Sequence, residues 1–111
     1  MVQWANAKSR QSRLSASNGT TSIRSFSDPS LSTGHFLLNV LDAMKPGIAD
    51  PSLITDARTD EDAKLNAKYA ISIARKLGAT IFLLPEDVVE VKPKMILTFI
   101  GSLMAVESTI H

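Results

Sequence analysis

The sequence predicts a single all-α domain, and three observations carry that prediction. In three stretches, 28–46, 59–78 and 93–106, apolar residues recur at the spacing of one helix face. Helix punctuation frames them: Asp28-Pro29, Thr59 and Pro93 at the starts, Pro46-Gly47 and Gly78 at two of the ends. The one strand-like run, Ala79 to Leu84, has no second candidate to pair with.

Residues 2–13 form the first predicted helix. Its one large apolar group is Trp4; a helix of this length is marginal alone in water, so Trp4 is expected to anchor it against the body. Residues 14–25 are rich in small polar side chains and contain the pair Asn18-Gly19, which predicts a flexible surface loop. Asp28 then caps a second helical region with Pro29 at its first position. Leu37, Val40, Leu41 and Met44 follow at i, i+3, i+4 and i+7, Phe36 and Leu38 widen the stripe, and Gly34 inside it is expected to permit close packing. Asp50-Pro51 opens a single short turn expected to tuck Leu53 and Ile54 inward.

The stretch from Thr59 to Gly78 is the best specified. Thr59 and Asp62 have capping-box spacing, Asp60, Glu61 and Asp62 place negative charge at the positive end of the helix dipole, and Arg75 and Lys76 place positive charge at the other. Ala63, Ala67, Ala70, Ala74 and Leu77 make one apolar stripe, and Leu65, Tyr69 and Ile73 a second beside it. Two apolar faces predict a helix surrounded by others. Ala79 to Leu84 then reads as a buried extended connector, and Pro85-Glu86-Asp87 as the start of a short helical turn carrying Val88 and Val89. Pro93 opens the last long helix, with Ile96, Phe99, Ile100 and Leu103 as its core stripe, and residues 107–111 are expected to fray.

A chain of 111 residues has room for one domain that buries about two-thirds of its unfolded surface. Absence of cysteine excludes disulfides, thiolate zinc sites and a cysteine nucleophile. The longest strongly apolar run, Met95 to Val106, is too short for the roughly 20 residues that cross a bilayer, and the N-terminus lacks the pattern of a signal peptide. Net charge of +1 hides an asymmetry. Residues 1–27 contain Lys8, Arg10, Arg13 and Arg24 and no acid, giving +4, while the rest has eight basic and eleven acidic side chains, giving −3. That suits an acidic partner, whether a protein surface, nucleic acid or anionic lipid, and equally fits a solvated basic helix.

No catalytic or metal-binding signature emerges. His35 and His111 stand apart from each other and from carboxylates at metal-ligand spacing, and the acids at helix starts are explained by the dipole. There is no G-x-S-x-G, phosphate-cradling glycine loop or EF-hand loop. From the residues alone, the chain reads as a helical binding module.

Several blocks give it a family resemblance. Trp4 and Asn6, then Asp28, Leu31, Gly34, Leu37, Leu38, Leu41 and Pro46-Gly47, are followed by Asn66 to Ala70, Ala74 to Gly78, and Leu84 to Val91 with Lys92 to Met95. Together they resemble a calponin-homology domain over nearly the whole length, and the later blocks resemble the fourth and last such domain of the fimbrin, or plastin, family. The resemblance implies the calponin-homology fold: four main helices with shorter connecting ones, the helix at 60–77 central and buried. It implies a non-enzymatic module without cofactor or metal, the second half of a tandem actin-binding region in a cytoplasmic protein that bundles filaments of the actin cytoskeleton. Its expected partners are filamentous actin and the adjacent calponin-homology domain, not nucleic acid or membrane. Carried over by position, the first helix makes the contact, with Gln3, Lys8, Arg10 and Arg13 as the candidates. The alternative is a domain that steadies its tandem neighbour without touching actin, which calls for an exposed apolar patch.

Overall fold

The computed structural model describes residues 1–14 and 22–109. Five α-helices lie among the described residues: α1 (Val2–Gln11), α2 (His35–Met44), α3 (Asp60–Lys76), α4 (Pro85–Val89) and α5 (Pro93–Thr109). Two 3-10 turns, Pro29–Thr33 and Pro51–Leu53, complete them, and the described residues contain no strand. Most of the predicted loop at 14–25, and the last two residues of the predicted frayed tail, lie outside the described residues. Helix α5 itself continues to Thr109, beyond Val106 where fraying is expected.

Three aspartates and a threonine open the elements as read. Asp28 accepts from Ser30 N–H at 3.0 Å and Asp50 from Ser52 N–H at 2.9 Å, each ahead of a proline. Thr59 Oγ1 accepts from Asp62 N–H at 3.1 Å, the hydroxyl half of the expected capping box. At α4, the Asp87 carboxylate accepts from Leu84 N–H at 2.8 Å.

The region from Asp28 to Met44 is not one helix. Gly34 takes φ +80°, closing the 3-10 turn and starting α2 in a new direction. A Cβ there would lie 2.8 Å from Cβ of Asn66, so the expectation of close packing holds, with α3 as the neighbour. Asn66, fully buried, ties three segments together. Its Nδ2 donates to the carbonyls of Thr33 (2.9 Å) and Thr55 (3.1 Å), and its Oδ1 accepts from Thr55 N–H (2.8 Å).

The central helix is α2 rather than the helix at 60–77. Every residue from Phe36 to Asp42 is buried, because this helix carries apolar groups on all sides and one charge among them. Helix α1 packs chiefly on α2, and α3 packs on α2 and α4. Helix α3 buries the expected alanines 63, 67, 70 and 74 together with Ile71 and Ile73. It keeps a solvent face of Leu65, Lys68, Ser72, Arg75 and Lys76, since three long cations cannot be desolvated without partners. Leu65 is therefore exposed instead of completing a second buried stripe. Leu53, expected inward, is also exposed, while Ile54 packs on the core. Along the connector the backbone alternates: Ala79 and Leu83 are buried, whereas Phe82 and Leu84 face solvent.

Candidate functional site

Helix α1 presents Gln3, Ala7, Arg10 and Gln11 to solvent and buries Ala5 and Ser9 on the opposite side. Positions 3, 7 and 10 share one face of a helix. Gln3 and Arg10, two of the predicted contact residues, thus lie on one exposed stripe. Trp4 packs partly buried against the core, as expected of an anchor.

Polar pairs hold the buried side on α2. Asn39 Nδ2 donates to Ser9 Oγ at 3.3 Å, and Ser12 Oγ donates to the carboxylate of Asp42 at 3.2 Å. Asp42, 2% exposed, also accepts from Gly47 N–H at 3.1 Å and lies 3.8 Å from Arg13 Nε. A buried carboxylate needs such partners. Arg13 serves it with one edge while most of its side chain stays in solvent, 63% exposed.

Lys8 stands apart from this stripe. Its Nζ lies 2.6 Å from Glu107 Oε2 on α5, and both side chains are only about one-fifth exposed, at 19% and 20%. Its charge is committed inside the domain. Of the four predicted contact residues, the structure places Gln3, Arg10 and Arg13 on the surface and turns Lys8 inward to join the two ends of the chain.

Asn6 adds a feature of the site that charge counting missed. Its side chain accepts from Ile23 N–H at 2.8 Å and donates to Ile23 O at 3.0 Å, so the described end of the predicted loop is stitched to α1 with Ile23 buried, not free on the surface. Arg24 follows directly, in solvent.

A second surface also escaped sequence reasoning. A groove of about 570 Å³ runs between α3 and the connector, lined by Lys68, Ile71, Arg75, Lys76, Leu83 and Leu84 among others. Leu84 is 59% and neighbouring Phe82 72% exposed. The available signal was the period-two alternation of Ala79 to Leu84, which places every second residue outward once the run is taken as extended.

His35 serves structure: its Nε2 donates to the carbonyl of Thr55 at 2.7 Å. Among the described residues, no group of three His, Cys, Asp or Glu side chains is placed to hold a metal ion, and no helix is long and apolar enough to cross a membrane. His111 lies outside the described residues.

Comparison with known proteins agrees with this architecture. Residues 1–109 match the calponin homology (CH) domain. The chain is 56% identical over 107 residues to fimbrin of Schizosaccharomyces pombe, covering 96% of this chain and 16% of that protein. It is 50% identical over 109 residues to fimbrin of Dictyostelium discoideum, covering 98% and 17%, and 46% identical over 105 residues to plastin-1 of Mus musculus, covering 94% and 16%. The chain therefore spans about one-sixth of the length of these relatives. Among solved structures, the crystal structure of the actin-crosslinking core of S. pombe fimbrin superposes with a TM-score of 0.81 at 54% identity, over 94% of this chain and 21% of that one. The fold, its element order and the match over residues 1–109 place this chain in the calponin-homology domain family.

Proposed function

We propose that this domain is the last calponin-homology domain of a fimbrin-type protein, the second half of a tandem that binds actin filaments and bundles them in the cytoplasm. The observation that carries the reading is the exposed stripe of α1, where Gln3 and Arg10 lie together, with Arg13 just beyond, on a helix free of acids. The likeness to an actin-crosslinking core supports it. Steering by such a surface strengthens association and makes it salt-dependent. Lys8 acts indirectly, by holding α1 on α5. The module acts by binding.

Co-sedimentation with filamentous actin tests this, with the chain alone and joined to its upstream neighbour, at low and near-physiological salt. Replacing Gln3, Arg10 and Arg13 by Ala should weaken pelleting of the joined protein and flatten its salt dependence. Unchanged affinity at every salt concentration excludes the contact.

A second reading, in which the domain steadies its tandem neighbour without touching actin, rests on the groove at α3 and the exposed Phe82 and Leu84. It requires Phe82→Ser with Leu84→Ser to loosen the pair of domains while the α1 substitutions leave pelleting intact.

A further inference from the structure

We propose that Ser27 is a phosphorylation site for a serine/threonine kinase that selects arginine three residues before its target, and that the added phosphate opens the turn at 24–30. This inference is independent of filament binding. Arg24, Ser25, Phe26 and Ser27 form an Arg-x-x-Ser sequence, and both Arg24 and Ser27 are exposed. Ser27 borders an open hollow of about 560 Å³ lined by Arg24, Ser25, Asp28 and Ser30, so its hydroxyl is reachable and a phosphate has room. Residues 24–28 lie outside helix and strand, and Pro29 and Ser30 begin the 3-10 turn that follows. The segment is held by few bonds: Ser27 N–H to Ser25 Oγ (3.2 Å), Asp28 N–H to Ser25 O (3.2 Å), and Arg24 N–H and Ser30 N–H to the Asp28 carboxylate (3.0 Å each).

In the reaction, Ser27 Oγ attacks the γ-phosphorus of Mg-ATP. The new O–P bond forms as the bond to the β–γ bridging oxygen breaks, ADP leaves with the electron pair, and the hydroxyl proton passes to the kinase's base. The product carries about −1.5 to −2 charges at neutral pH. That charge lies beside Asp28, whose carboxylate the backbone N–H groups of Arg24 and Ser30 already favour in its ionised form. Repulsion between neighbouring anions, together with competition for Arg24, weakens the two bonds that close the turn. The opened segment displays phosphoserine with Arg24 three residues before and Pro29 two residues after it, a sequence suited to a basic phosphoserine-reading pocket.

The test incubates the folded chain, and separately a peptide of residues 22–30, with an arginine-directed kinase and Mg-ATP, and maps the phosphate by mass spectrometry. Expected results are incorporation at Ser27 in the folded chain, its loss in Ser27→Ala, at least a tenfold slower rate in Arg24→Ala, and faster amide exchange at residues 24–30 in the product. A peptide that is modified while Ser27 of the folded chain is not overturns the site. Equal rates for Arg24→Ala and the parent overturn the arginine selection, and unchanged exchange overturns the opening of the turn. Capture of the phosphorylated chain by a 14-3-3 protein, absent with Ser27→Ala, supports the reader; no capture removes it.

Discussion

Gly34 and Gly78 both take positive φ, +80° and +96°, yet substituting them should cost different amounts. A Cβ at Gly78 meets nothing within 4 Å, so Gly78→Ala costs only the backbone penalty, about 1–2 kcal/mol. At Gly34 the same penalty is joined by the 2.8 Å approach to Asn66, adding about 1–3 kcal/mol of overpacking. Denaturant unfolding of the two variants should rank Gly34→Ala as clearly the less stable; equal midpoints would show that α3 can move aside. Val91 shows that position alone does not demand glycine. It takes φ +52° after α4, with Lys92 N–H reaching Asp87 O at 2.9 Å, as Gly78 does after α3, with Ala79 N–H reaching Ala74 O at 3.0 Å. Its contact with the core offsets part of the strain.

Helix starts give the domain its response to acid. The backbone N–H of Leu84 and the ammonium of Lys92 hold Asp87 below the usual carboxylate range, hydrogen bonds from Arg24 and Ser30 do so for Asp28, and those from Ser52 for Asp50. With each folded pKa depressed, the stabilisation is present above the ordinary value of about 3.9 and is lost as pH falls through the lowered folded value. Melting temperature should therefore stay nearly flat from pH 8 to 5, as far as these groups decide it, and fall below about 4. Asp28→Asn, Asp50→Asn and Asp87→Asn combined should lower stability at pH 7 and blunt the acid-side fall; an unaltered slope would assign it to other carboxylates. Thr59→Ala should cost about 1 kcal/mol at α3. These starts were legible in the sequence because a cap is a local device, written within four residues. The break at Gly34 was not, since the apolar period runs through it unchanged and only Asn66, far along the chain, requires the turn. A helical stripe for Leu65, a capped turn for Leu53 and an extended connector for Phe82 each identified an apolar group but not which side had a neighbour, and α2 took the centre because it has few charges to keep wet.

Across the domain, the basic block at 1–27 is divided by the fold between a surface role and an internal one. Arg10 faces solvent, whereas Lys8 meets Glu107 in α5, a pairing between the two ends of the chain for which no local pattern exists. Substitutions should separate the two roles. Lys8→Ala should lower stability by between the ~0–1 kcal/mol of exposed pairs and the ~3–5 of a broken buried one, with Glu107→Ala adding little to it, while Arg10→Ala leaves the melting temperature unchanged. Additive losses in the Lys8 and Glu107 double variant would mean that the pair is not coupled. The first and last helices touch at two side-chain points. Met1 reaches the backbone at Gly101, and Lys8, farther along α1, meets Glu107, farther along α5. A pull applied through Met1 and Thr109 then loads these two points. In an optical trap the domain should yield abruptly in a single step, and at lower force once Lys8 is replaced by Ala.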